Sequence, residues 1–182
     1  LYRAGGGDHG LRFYSLANPA SPSYVGAWNQ RYSHDAQVVT YTSGPYAGRE
    51  IAYSCGGFDG GFTSTGLSVI DVTNKSNPIT LANESYSSPA YSHQAWLSDD
   101  RNYLFLNDEL DETGSNQGRT IVFNVSDPGN PFQATTYTHG NTAVTHNLYV
   151  DGNRTFHSNY TAGLQIFDNT NPLSPVETGF FD

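Results

Sequence analysis

The sequence has one cysteine, Cys55, so no disulfide can form within the chain. Such a chain is compatible with either redox compartment. Cations are also scarce: 8 Lys plus Arg stand against 17 Asp plus Glu, for a formal net charge of -9. There is no basic run to meet a phosphate backbone, which argues against a nucleic-acid partner. The same balance leaves a divalent cation open, because an acidic, oxygen-rich surface attracts one. No apolar stretch approaches the ~18 residues of a spanning helix, so the chain is read as not membrane-spanning. No window of helical length keeps a 3.6-residue apolar period without a Gly, Pro or Asn breaking it. The chain begins at Leu1 rather than Met and opens on no signal peptide, which reads as a processed, truncated or partial start.

What is present is aromatic and punctuated. The chain holds 13 Tyr and 10 Phe, with 19 Gly and 9 Pro. Short runs of Tyr, Phe, Val and Thr between Gly, Pro, Asn and Asp read as an all-β fold. Five Asn-x-Ser/Thr sequons, at Asn74, Asn83, Asn124, Asn153 and Asn159, add weak support for secretion.

Four segments align without gaps: GLRFYSLANPASP from Gly10, GLSVIDVTNKSNP from Gly66, RTIVFNVSDPGNP from Arg119 and GLQIFDNTNPLSP from Gly163. Each has two apolar residues at its fourth and fifth places, then Ser, Asp or Asn. Each ends on a proline: Pro22, Pro78, Pro131 or Pro175. A second motif runs in step: SHDAQVV, SHQAWLS and THNLYVD place His34, His93 and His146 in one local context. The copies start 56, 53 and 44 residues apart, and the histidines stand 59 and 53 apart. A period of about fifty residues with several short strands is the signature of a β-propeller with four antiparallel strands per blade.

One blade is expected to run through strands at His34–Thr42, Glu50–Ser54, Leu67–Val72 and Ile79–Tyr86. The third strand has apolar residues on both faces, which suits a sheet sandwiched between two others. The expected division is 1–28 for the end of one blade, 29–88 and 89–141 for two blades, and 142–182 for a last, incomplete one. That is roughly three and a half blades, whereas propellers typically close with about 4 to 8. The reading therefore expects a longer polypeptide or self-association with a second copy to close the ring, and favours the first.

The GLxVxD-like strand followed by an Asn/Asp-Pro turn resembles the LVIVD repeat. The order YSHDAQVVTYTSGPYAGREIA, YSHQAWLSDDRNYLFLNDELDE, THNLYV and NYTAGLQIFD is similar to the choice-of-anchor B family of bacterial surface proteins. The resemblance covers essentially the whole chain. It implies a propeller, export and attachment at the cell surface, and it implies no enzymatic activity.

Two readings of the repeated histidines stand side by side. If each opens the innermost strand of its blade, His34, His93 and His146 converge on one axis, and three imidazoles there make a transition-metal site. Alternatively each is a blade lock, satisfied by its own Ser or Thr and by Asp35, Gln94 or Asn147. Asp108 is expected to point at the channel beside His93. The stretch NDELDETGSN also offers Asp108, Glu109, Asp111 and Glu112 as hard oxygen ligands for Ca²⁺. His9 precedes a third strand, His139 reads as a turn residue, His157 as a local feature and Cys55 as buried and inert. Tyr32, Tyr91, Trp28 and Trp96 cluster around the histidine motifs as a face that could stack sugars, or as inter-blade packing.

The functional expectation is an extracellular or cell-surface propeller acting as a non-catalytic module that binds a protein or a glycan, with a divalent metal, a transition metal or Ca²⁺, at the channel histidines. The alternative is a metal-dependent oxidoreductase or polysaccharide lyase with His34, His93 and His146 as ligands and Asp108, Tyr32 or Tyr91 as acid or base.

Overall fold

The computed structural model describes residues 1–6, 10–112, 114 and 116–182; His9 lies outside them. Among the described residues, fifteen strands form four antiparallel sheets, each a simple meander. The first sheet has β1 (Tyr2–Ala4), β2 (Leu11–Ser15) and β3 (Ser23–Trp28). The second has β4 (Asp35–Thr40), β5 (Glu50–Gly56), β6 (Gly66–Asp71) and β7 (Ile79–Glu84). The third has β8 (Ser92–Leu97), β9 (Tyr103–Asp108), β10 (Arg119–Asn124) and β11 (Phe132–Thr138). The fourth has β12 (Asn147–Asp151), β13 (Arg154–Ser158), β14 (Leu164–Asp168) and β15 (Val176–Phe181). Successive meanders stacked face to face are the blades of a β-propeller, and the chain forms part of one.

The aligned repeat is the third strand of each sheet and the turn after it. Its sixth residue accepts the N–H two places on in all four copies: Ala17 to Ser15 at 3.3 Å, Thr73 to Asp71 at 3.0 Å, Ser126 to Asn124 at 3.1 Å and Thr170 to Asp168 at 2.8 Å. Its ninth residue, Asn18, Asn74, Asp127 or Asn171, then accepts a backbone N–H three places on at 3.0 Å. Short polar side chains that bond their own backbone end a strand and start a turn. In three copies proline occupies the next place, where its fixed φ suits the turn.

The paired apolar residues also have a structural cause. Every third strand pairs with its fourth through a bulge between those two residues: Phe13/Tyr14, Val69/Ile70, Val122/Phe123 and Ile166/Phe167. In the second sheet Val69 packs toward the third sheet while Ile70 packs toward the first. Phe123 and Val122 divide in the same way between the second and fourth sheets. A central blade thus needs apolar residues on both faces.

The largest core lies between the second and third sheets, with Ile51, Tyr53, Leu67 and Val69 against Leu104, Leu106, Ile121 and Phe123. Leu11, Phe13 and Trp28 fill the junction of the first and second sheets. The third junction is different. Its buried apolar cluster is Phe105, Val122 and Leu148, and beside it lies a buried polar network of Asn107, Thr120, His139, His157, Asn159 and Gln165. The outward faces of the end sheets leave Tyr24, Tyr149, Leu164 and Phe181 exposed.

Candidate metal and ligand site at the ends of the inner strands

The first strands of the three complete sheets, β4, β8 and β12, lie side by side, and the repeated motif sits at the same end of each. Inter-blade bonds run from residues just inside those strands. Gln37 accepts the Leu97 N–H at 2.8 Å, and Gln94 accepts the Leu148 N–H at 2.8 Å. The glutamines therefore tie blade to blade, and the histidines before them are left for one another. The His34 and His93 ring centroids are 4.3 Å apart, and those of His93 and His146 are 4.0 Å apart.

A bulge explains how His93 reaches its neighbours. Ser92 pairs with Asp108 and Gln94 with Asn107, so His93 is the extra residue between two paired ones. Bulges of this kind re-aim a side chain, and they gather at functional sites. The pairing continues past the strand end, where the Glu109 N–H donates to the Tyr91 carbonyl at 2.9 Å. This places the Glu109 carboxylate opposite the histidines: Oε2 is 3.5 Å from His93 Nε2, and Oε1 is 3.7 Å from His146 Nε2. One donor atom each from His34, His93 and Glu109 lie within 4.8 Å of one another.

The electrostatics favour the neutral forms of His34 and His93. Burial lowers the His34 pKa, against an opposing pull from Glu109. Burial lowers that of His93 to about 4, reinforced by His34 and His146 and opposed by Glu109. Neutral imidazoles offer lone pairs to a metal. His93 Nδ1 is buried and has no hydrogen-bond partner. Two imidazoles and a carboxylate suit Zn²⁺ or Fe²⁺ and leave coordination positions open for a ligand.

Phenols complete the site. Tyr91 Oη lies 3.0 Å and Tyr32 Oη 3.3 Å from His34 Nδ1, which fixes the ring from behind and leaves Nε2 free. The Tyr91 ring packs directly on the backbone at Gly57, where a Cβ would overlap it. Gly57→Ala should therefore push Tyr91 off His34. Losing a partner that orients a ligating ring weakens metal binding about 10- to 100-fold with little change in melting temperature; unchanged affinity would show that Tyr91 does not position His34.

The structure brings together His34, His93 and His146, but Asp108 does not join them. Its buried carboxylate accepts the Tyr86 hydroxyl at 2.7 Å and the N–H groups of Ala90 at 2.7 Å, Tyr91 at 2.6 Å and Leu110 at 3.2 Å. Glu109 takes the place expected for Asp108, because the next residue along an extended chain faces the other way. The four acids expected to share Ca²⁺ are dispersed. Asp108 holds a loop, Glu109 faces the histidines, Asp111 pairs with Arg119, and Glu112 accepts the Thr145 N–H at 2.7 Å. Among the described residues, His34, His93 and Glu109 are the group placed to hold a metal.

His139, read as a turn residue, lies just past the end of β11 and is buried. Its Nδ1 accepts from Asn159 Nδ2 at 2.7 Å, and its Nε2 lies 2.8 Å from the Thr120 hydroxyl. Asn159 is therefore occupied in the core rather than offered as a sequon. His157, on β13, lies 2.9 Å from the Thr155 hydroxyl and stands edge-on to His139. Among the described residues, buried histidine-hydroxyl pairs include His139 with Thr120 and His157 with Thr155. Trp28 is buried and donates to Thr80 at 2.8 Å, while Trp96 packs on Tyr149, so neither lies on the ligand face. Cys55 is fully buried, and burial pushes its thiol pKa up.

No family model and no curated protein matches the chain. Solved structures share its fold, among them the following two. A Lactobacillus plantarum protein superposes with a TM-score of 0.70 at 15% identity, over 100% of this chain and 53% of its own. A Bacteroides uniformis protein described as a candidate 6-phosphogluconolactonase superposes with a TM-score of 0.69 at 13% identity, over 94% of this chain and 48% of its own. The chain spans about half the length of each.

Proposed function

We propose that the chain is part of a cell-surface β-propeller that works as a binding module, with a divalent transition metal held by His34, His93 and Glu109 and with His146 as a fourth donor. The carrying observation is the convergence of donors from three separate strand ends, with His93 turned out by its own bulge. When bound, the metal would supply a Lewis-acidic point for ligand oxygens. The surface location rests on the family resemblance of the SHDAQ and SHQ-to-NDELDE segments, and a protein or glycan of the cell surface is the corresponding partner.

A metal-dependent enzyme is the second reading, favoured by the phenols of Tyr91 and Tyr32 beside His34. Asp108 has no part in it, since its carboxylate is occupied. The name of the Bacteroides uniformis protein points to a phosphorylated sugar lactone. Here the charges acting on His34 include Glu109, Asp35 and Asp59, which do not favour a phosphate.

The test is elemental mass spectrometry on untagged protein purified without added metal, beside His93→Ala and Glu109→Gln. The expected result is about one equivalent of a transition metal, with affinity at least about 100-fold weaker in either variant. Parent protein that neither carries nor takes up a transition metal would overturn the reading. Turnover by the metal-loaded protein alone, lost in Tyr91→Phe with metal retained, would favour the enzyme.

A further inference from the structure

Six rings from three blades follow one another across the site. Phe58 meets Tyr91 at 5.2 Å between centroids, Tyr91 meets His34 at 5.3 Å, His34 meets His93 at 4.3 Å, His93 meets His146 at 4.0 Å, and His146 meets Tyr160 at 5.0 Å. The middle of the run holds the metal donors. Its two ends are open to solvent, Phe58 at 48% and Tyr160 at 58% exposure.

Tyr160 is exposed yet fixed. Its φ is +38°, in the left-handed region that costs a non-glycine residue free energy. A tight turn holds it there, with the Gly163 N–H donating to the Tyr160 carbonyl at 3.1 Å. Its hydroxyl donates to Glu109 Oε1 at 2.9 Å, which stands the ring edge-on to His146. An aromatic ring held in a strained conformation, bonded to a candidate metal ligand and presented to water, is a prepared contact surface.

The local charge selects the ligand. Glu109, Asp35 and Asp59 act on His34, and a bound divalent metal offsets most of their charge, so the loaded site pulls strongly on neither an anion nor a cation. What remains is a neutral ligand with oxygens for the metal and an apolar face for the rings.

We infer that this site takes a neutral, hydroxyl-rich ligand: a glycan in which one sugar offers vicinal hydroxyls to the metal while a neighbouring sugar face lies on Tyr160 or Phe58. The inference rests on the proposed metal site and names its ligand class. Metal and rings then play separate roles. The metal sets whether the sugar is held, and the rings set how tightly.

The test is calorimetric titration of xylohexaose, cellohexaose and mannohexaose into the untagged protein, metal-loaded and after chelation, with metal content measured on the same samples. The expected result is saturable binding of at least one hexasaccharide that is abolished by chelation and restored by metal. Phe58→Ala should keep the metal and bind about tenfold more weakly, whereas Tyr160→Ala, which also removes the hydroxyl bonded to Glu109, should loosen the metal as well. Protein that holds metal but binds none of the three overturns this inference and leaves the metal site standing. Binding that survives chelation overturns it as well. Protein that holds no metal overturns the functional reading, and this inference with it.

Discussion

Replacing Asp108 with alanine should destabilise the protein by about 4 kcal/mol, the cost of removing one member of a buried charged network. For a chain of this size that lowers the melting temperature by roughly 10 °C. The carboxylate is fully buried and takes four hydrogen bonds, three of them from backbone N–H groups of Ala90, Tyr91 and Leu110. Alanine leaves those three donors and the Tyr86 hydroxyl inside the protein without an acceptor. Asp108→Asn should cost less, because its amide oxygen still receives one pair of donors. Tyr86→Phe should cost only about 1 kcal/mol, since it removes one donor and strands no backbone group. Urea unfolding of the three variants checks the order. A loss below about 1 kcal/mol for Asp108→Ala would show that the loop carrying Tyr91 is not held from Asp108. The same variant should loosen the proposed metal site, because Ala90 and Tyr91 lead directly into His93.

Acid should weaken the junction of the third and fourth sheets, starting at a pH above the ordinary carboxylate range. Burial lowers the His139 pKa to about 4 and that of His157 well below its ordinary value, with His139 adding to the second effect. The network is complete with both rings neutral. His139 Nδ1 accepts from the Asn159 amide, and its Nε2 faces Thr120, whose hydroxyl donates to Asn107 Oδ1 at 2.7 Å. A proton on Nδ1 would set donor against donor. Both pKa values are lower folded than unfolded, so between those values the unfolded chain binds more protons, and stability falls as pH falls. The loss begins near the unfolded value of about 6.5 and continues down to about 4 for His139. From His139 alone it amounts to about 3 kcal/mol, and His157 adds to it. Equilibrium unfolding at pH 7.5, 6.0 and 5.0 measures the slope. A His139→Gln variant, which does not titrate, should start less stable and flatten the curve. A variant curve as steep as the parent's would place the acid sensitivity elsewhere.

The fold was largely legible because its determinants are local. A polar side chain that bonds the N–H two residues on ends a strand wherever it stands, so Ser15, Asp71, Asn124 and Asp168 mark four strand ends in the sequence itself. The paired apolar residues before them foreshadow sheets packed on both faces, and the bulge between each pair is how the backbone delivers them. The candidate site was legible only in part. A repeat places equivalent residues at equivalent positions, which is why His34, His93 and His146 could be named together. Which of two adjacent carboxylates meets them could not, because the direction of a side chain at a strand end depends on register.

By itself, then, the sequence determined the class of the fold, the blade period, the turns and the three histidines, since all of these follow from patterns within about fifty residues and from steric rules that act along the chain. The tertiary structure decided the rest. It sent Asp108 into a loop and Glu109 to the histidines, and it buried His139 and Asn159 in a polar junction. It also raised Tyr160 over the cluster. Each of these depends on which blade lies alongside which, and on a bulge at His93 that turns one ring outward. Contacts between residues 14 to 51 apart set those choices, and no local preference encodes them.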